Sequence, residues 1–488
     1  MFNPGASIRG ESIRTYLRAQ GTAVTSSLTS ERVIFSSLLL LIGLAAVPFG
    51  SIEPWWEGIF ESAIFILGAC CLFTSTIDKQ WHVPHILAPL IGLIVFAWLQ
   101  TLPSWHTNLS SAVLPGASRT VSFDPFKTKR FIIELLALSL TLAMLLRYTS
   151  NRKQLLALSH LVIVVGAASA AFGIWRRLLP ASALASLGNS KLQGVSFGQF
   201  MNRNHFALLM EMSFGVALGL AFYSGRGLKR YLYAAVALWI CIALILANSR
   251  GGIVSMLGQV GFIAWMALSR VFGQSAEPDA RDQHSGEQSL LRTTRLLALR
   301  CVLIFFILGA TLSIVLLLGG EPVRHRLESI PGEFLVRRAD IENRSPRRLE
   351  IWGSTWRLIK AHPFLGSGFG AYKTAITKSF QAANDWQPQQ AHNEYLEVAA
   401  GGGVISVALG IWFVLILIRD ARRRLHETDA FRRAVCLGAL VGLEGVAIHS
   451  LVDFGLHVLV NALICCGLVA LATAKIRSAR VESPSLAI

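Results

Sequence analysis

The chain has 488 residues, of which 53% are hydrophobic and only 15% charged, with a formal net charge of +17. Its repeated apolar runs of about 17 to 25 residues are each long enough to cross a hydrocarbon core of about 30 Å. Backbone groups in lipid must pair internally, so the composition excludes a string of soluble domains and predicts an all-α, polytopic transmembrane helical bundle. The basic residues are scattered through the loops without a nucleic-acid module, so no nucleic-acid partner is expected and topology and phosphate-bearing lipids account for the charge.

In chain order, residues 1–32 are polar and too long for the lead of a cleavable signal peptide. They are expected to form a cytoplasmic segment, with the first span acting as an uncleaved targeting signal. Twelve spans are predicted, at 33–49, 58–76, 84–101, 131–147, 154–174, 205–223, 232–248, 251–268, 300–319, 395–418, 434–452 and 456–474. They divide into an N-terminal set of five (33–194), a core (195–474) and a cytoplasmic tail (475–488). All seven cysteines lie in or beside apolar runs and read as small hydrophobes, not as a disulfide or metal framework. No internal repeat is visible, which disfavours a transporter built from symmetric halves.

Lys and Arg concentrate in alternate short loops, such as the six in RDARRRLHETDAFRR, while SIEPWWEG and VDFGL have none. This bias places both termini in the cytoplasm of a multi-pass protein of the bacterial inner membrane. Residues 320–391 then form a large periplasmic loop, with eleven Lys/Arg against seven Asp/Glu. Long loops translocate regardless of charge, and a basic surplus at the outer face suggests an anionic partner.

Several residues sit where chemistry is possible. Asn202, Asn204 and His205 fall in GQFMNRNHFALL. Arg250 stands in NSRGG, between two apolar runs; it is either a snorkelling Arg at a tight turn or, with Gly251 and Gly252 opening a helix, a phosphate site. In the large loop, SPRRLEIWGSTWRLIK reads as an amphipathic helix with Arg347, Arg348 and Arg357 at its rim. Those guanidinium groups suit either lipid headgroups or a phosphate-bearing substrate. GSGFGAY resembles a phosphate-binding glycine fingerprint but follows no strand, so a backbone turn is expected there.

QAHNEYLEVAAGGG, 390–403, precedes the tenth span. Asn393 suits a helix cap, and Glu394 and Glu397 suit the positive end of the helix dipole. His392 is not explained that way and can exchange protons near neutrality. His449 and Asp453, four apart, are expected to share a helix face as a structural pair. Glu211 and Glu444 lie within spans without an evident role. Hydrolase, zinc-protease, Walker and CxxC motifs are absent, and no acidic cluster suggests a bound metal.

In order, FMNRNHFA, LANSRGG, RRLEIWGSTWRLIKAHPFLGSGFGAY, QAHNEYLEVAAGGGVISVALG and IHSLVDFGLHV resemble the O-antigen ligase family, which also holds O-antigen and exopolysaccharide polymerases. The similarity covers about residues 195 to 470; spans one to five match in topology only. The resemblance implies a GT-C-like glycosyltransferase that works at the periplasmic face without metal or cofactor. The donor it implies is a glycan on undecaprenyl pyrophosphate; the acceptor is the lipid A core for a ligase, or another lipid-linked repeat for a polymerase. By position it implies that Arg250 holds the pyrophosphate with help from Arg348, and that His392 acts on the acceptor; Arg347, Asn393 and Asn204 are further candidates for substrate binding. A branch that glycosylates pilin carries a C-terminal domain not seen here. A non-enzymatic alternative, a lipid-linked glycan flippase, predicts charges deep in several spans, whereas here they gather towards one face.

Overall fold

The computed structural model describes residues 31–47, 53–75, 84–103, 120–179, 196–224, 227–274, 309, 313, 348–377 and 388–476. Apart from 309 and 313, the span expected at 300–319 lies outside these residues, as do Arg347 and much of the 320–391 loop. The helices are α1 (31–44), α2 (Pro54–Ser75), α3 (Ala88–Gln100), α4 (Pro125–Tyr148), α5 (Arg152–Leu178), α6 (Arg203–Tyr223) and α7 (Leu228–Leu246). They continue with α8 (Arg250–Gln274), α9 (Arg348–Ala361), α10 (Tyr372–Ile376), α11 (Glu394–Leu425), α12 (Ala430–His449) and α13 (Leu459–Thr473).

Every expected run except 300–319 falls on one of these helices. Seven, namely α2, α4, α5, α6, α7, α8 and α11, are long and apolar enough to cross a membrane; His85–Gln100 and α13 are shorter apolar helices. The protein is therefore a polytopic helical membrane protein. Large apolar side chains such as Ile66, Val164, Leu238 and Leu415 stand exposed on the outer helix faces, where lipid replaces water as solvent. Helices begin where short polar side chains satisfy the first free N–H groups. Asp124, Asn151, Asn202, Asn393 and Asp429 accept from Lys127, Gln154, Asn204, Leu396 and Phe431 N–H, at 2.9 to 3.1 Å.

α6 forms the centre: 78% of its apolar stretch lies inside the protein, against 28% for α7 and α11. Its closest neighbour is α12, because glycines on both helices meet without side chains between them. A Cβ on Gly215 would lie 2.5 Å from Gly442 N and 2.6 Å from Gly438 O; one on Gly219 would lie 2.6 Å from Ala434 O. Small residues four apart are how helices approach closely where no hydrophobic force acts between them. At the far end of α12, the fully buried Arg432 donates to the carbonyls of Leu471, Ala472 and Ala474 at 2.8 to 3.2 Å. It thus satisfies the end of α13, where the helix dipole is negative.

The expected tenth span is not one continuous helix. α11 breaks at Gly403, whose φ is 59° and ψ −155°. The carbonyls released there are taken by the GSGFGAY segment: Ser367 N–H donates to Ala400 O and Gly368 N–H to Gly401 O, both at 2.9 Å. Gly366, Gly368 and Gly370 have φ of +67°, +99° and +71°. A Cβ on Gly366 would meet Gly401 O at 2.3 Å, so only glycine permits this approach. The segment is the backbone turn expected from the sequence. Helices of the N-terminal half hold it: Gln100 Nε2 donates to Leu365 O (2.7 Å) and Gly401 O (2.9 Å), and Phe369 stacks on Phe131 at 4.7 Å.

Candidate functional site

The starts of α6, α8 and α11 converge with the turn after α12 at one end of the bundle, and the start of α9 docks beside them. At the centre is Asp453, with no exposed surface. Its Oδ1 accepts from His392 Nδ1 at 3.2 Å and from Phe454 N–H at 3.0 Å. Its Oδ2 accepts from Asn204 Nδ2. Asn204 Oδ1 in turn accepts from Ser249 Oγ at 2.8 Å, and Ser249 Oγ accepts from Gly252 N–H at 3.1 Å. A continuous polar chain therefore runs from His392 through Asp453, Asn204 and Ser249 to the first turn of α8, where Arg250 stands.

Burial alone would raise the Asp453 pKa. The His392 hydrogen bond and the charges of His205, His449 and Arg348 outweigh it and hold the carboxyl below the usual carboxylate range. An ionised carboxylate only accepts, so His392 must donate through Nδ1. That leaves Nε2 as the proton-accepting nitrogen, on a ring that is partly exposed. The same logic of carboxylate, imidazole and free Nε2 orients catalytic bases in hydrolases.

His392 is held in a backbone conformation unusual for a residue with a side chain, with φ of +50°. Such a residue costs about 1–3 kcal/mol and persists only where its surroundings fix it. They do so here. Ala391 N–H donates to Glu397 Oε2 at 2.9 Å, and Ala391 O accepts from Trp352 Nε1 at 3.0 Å. Asn393 caps α11, and its Nδ2 donates to Leu451 O at 2.8 Å. Glu394 accepts from Leu456 N–H at 2.9 Å, and His457 Nε2 lies 3.4 Å from Glu394 and 3.6 Å from Glu397. Both glutamates thus tie the α11 start to neighbouring turns, beyond their effect on the helix dipole.

Among the residues singled out from sequence, His392 and Asn204 meet on Asp453, and Asn393 braces His392 from behind. Arg250 and Arg348, both partly buried, are the first residues of α8 and α9. The charge of Arg348 reaches Asp453 and His449. Arg347 lies outside the described residues. The expected pairing of His449 with Asp453 does not form. α12 ends at His449, so Asp453 sits past the helix end, and His449 turns instead to Glu211 with Nδ1–Oε1 at 2.7 Å. Sequence reading did not find Ser249 as a link, nor Phe454, whose ring packs edge-on against His392 (4.9 Å) and His205 (5.0 Å). The one available signal was an acid, Asp453, in a span-to-span turn without Lys or Arg. Among the described residues, no three His, Cys, Asp or Glu side chains are grouped as metal ligands would be.

The fold and site thus define a polytopic membrane protein with a partly exposed histidine on a buried aspartate and helix-start arginines at one end. Residues 235–411 match the family model described as O-antigen ligase, a finding that supports the O-antigen ligase family for this chain. The match includes Arg250, Arg348, His392 and Asn393, whereas Asn204 and Asp453 lie outside it. No curated protein matches the chain.

Proposed function

We propose that the protein is a glycosyltransferase that moves a glycan from undecaprenyl pyrophosphate to an acceptor hydroxyl, the lipid A core in the ligase reading, at the periplasmic face of the bacterial inner membrane. The observation that carries this reading is the hydrogen-bonded chain from His392 through Asp453 and Asn204 to the α8 start. It couples a proton acceptor to an arginine-bearing helix N-terminus, the two groups that displacement of a diphosphate requires.

In this mechanism His392 Nε2 takes the proton of the acceptor hydroxyl, and Asp453 stabilises the imidazolium formed. The acceptor oxygen bonds to the anomeric carbon as the bond from that carbon to the diphosphate oxygen breaks. The electron pair leaves with undecaprenyl diphosphate. Negative charge grows on that leaving group, and the Arg250 and Arg348 guanidinium groups, with the N–H groups opening α8, offset it. Fixed cations take the place of a divalent metal, so chelator should leave transfer unchanged. Asn204 and Asn393 act on the position of Asp453 and His392, and Arg347 is a further candidate to bind the diphosphate.

The acceptor decides between ligase and polymerase, and a strain lacking the protein tests it. Loss of all capped lipopolysaccharide, with lipid-linked glycan accumulating, supports the ligase. Capping reduced to single repeats supports a polymerase. Normal surface glycan counts against both.

A further inference from the structure

Behind the His392–Asp453 pair lies a second imidazole–carboxylate pair that the transfer mechanism leaves unused. Glu211 on α6 is fully buried, and His449, which ends α12, is 1% exposed; they meet at 2.7 Å. Polar groups of α8 line the same interior. Gln259 Nε2 donates to the carbonyls of Glu211 (3.0 Å) and Val441 (2.9 Å), and Ser255 Oγ donates to Gly445 O at 3.3 Å. Glu444 lies deeper on α12, its Oε1 3.0 Å from where a Cβ on Gly258 would be. Glu211 Oε2, Gln259 Oε1, Glu444 Oε2 and His449 Nε2 are buried without a hydrogen-bond partner among the described residues. Buried polar atoms left unpaired are few in native proteins, and a cluster of them calls for an account.

His449 Nε2 is aimed at the candidate anion site. A Cβ on Gly251 would come within 3.2 Å of it, so the ring edge abuts the first turn of α8, next to Arg250. The His449 carbonyl accepts the Asp453 N–H at 3.1 Å, which joins the pair to the site's other half. With Nδ1 donating to Glu211, Nε2 is a lone pair when the pair's one proton sits on the carboxyl and an N–H when it sits on the ring. With a second proton the ring is an imidazolium in either case, a cationic donor directed at the α8 start.

We propose that the Glu211–His449 pair is a proton-binding part of the donor site, taking up one proton when a diphosphate docks at the α8 start and releasing it when the diphosphate leaves. The inference rests on the reading above that the diphosphate binds there. With one proton the pair is neutral overall, either as carboxylate with imidazolium or as acid with imidazole. With two it carries one positive charge, which is costly in a dry interior unless an anion lies beside it. The charged and titratable groups around the pair set this balance. Glu444 and Asp453 favour the second proton. His205, when protonated, Arg250 and Arg348 oppose it, the two arginines until a doubly negative ligand neutralises them. Donor binding and proton binding are thus coupled, each favouring the other.

The test uses the full-length protein in nanodiscs with undecaprenyl diphosphate N-acetylglucosamine as probe and no acceptor. As a diester, this probe carries no proton that titrates near neutrality. Calorimetry in buffers of different ionisation enthalpy should show uptake approaching one proton per probe bound. Affinity should weaken by about tenfold per pH unit once the pair loses its second proton in the free protein. His449→Gln and His449→Asn should each abolish the uptake and flatten the pH dependence, while binding stays sensitive to Arg250→Ala. Two variants guard against one failing to fold. Binding that depends on Arg250 but draws no proton, or uptake that survives in both variants, overturns this inference alone. A probe that does not bind, or that binds equally well to Arg250→Ala, overturns the donor-site reading and this inference with it.

Discussion

His392 Nδ1 meets Asp453 Oδ1 at 3.2 Å although the two residues lie 61 positions apart, one opening α11 and the other past the end of α12. The contact depends on α12 stopping at His449 and on the α11 start being clamped to the turn that follows. Glu394 N–H donates to Ser450 O at 2.9 Å, and Tyr395 Oη donates to Ala447 O at 2.8 Å.

Replacing Asp453 by Asn keeps the shape but removes the charge that fixes the His392 tautomer. The expected outcome is a fall of about 10²–10⁴-fold in the transfer rate, the range a positioned base contributes, with little change in KM for the donor. Steady-state kinetics of D453N in nanodiscs checks it; an unchanged rate removes Asp453 from the mechanism.

Asp453 also predicts a pH dependence of stability. Its folded-state pKa is depressed, so it contributes stability that is fully present above the unfolded carboxylate value of about 3.9. That contribution is lost as the pH falls below this value towards the folded pKa. Thermal unfolding of detergent-solubilised protein should show Tm declining below about pH 4, with a shallower decline in D453N. Parallel profiles for the two proteins would remove this linkage.

The glycine contact between α6 and α12 predicts a contrast between two Gly→Ala changes. At Gly215 the new methyl would sit 2.5 Å from Gly442 N, and the helices must part; the expected loss is about 1–3 kcal/mol. At Gly410 on α11 nothing lies within 4 Å, so the same change should be neutral or stabilising by up to about 1 kcal/mol. Tm values of the two variants in one detergent decide it.

Arg432→Met should destabilise by several kcal/mol, because the carbonyls ending α13 lose their donors in a site closed to water. It should not change the transfer rate of the protein that remains folded, since Arg432 lies at the opposite end of α12 from His449. A lowered rate per folded molecule would show that the two ends are coupled.

Helix positions were legible because a membrane demands long apolar runs, and every run except 300–319 falls on a described helix. The cap at Asn393 was visible for the same local reason, since the residue type and the start of the apolar pattern coincide; Asn202, which caps α6, was noted only as a residue able to carry chemistry. What joins helices was not legible. AAGGG read as part of a plain span start, yet its glycines break α11 so that GSGFGAY can bond to the freed carbonyls, a pairing of two distant backbones. Asp453 was assigned to His449 because four-residue spacing suggests one helix face; the helix ended first, and each found a partner more than 60 residues away. Glu211 and Glu444 stood out as charges in apolar runs, but only the packing of α6, α8 and α12 shows that Glu211 faces His449.

In the proposed mechanism His392 and Arg250 form the two halves of one transfer site. The decisive assay is glycan transfer from a lipid-linked donor with purified wild-type protein, His392→Ala and Arg250→Ala, each checked for an unchanged Tm and run with and without chelator. Each variant should lose at least about 10²-fold in rate, Arg250→Ala should also lose donor affinity, and chelator should have no effect. Full transfer by either variant with the fold intact would contradict this mechanism.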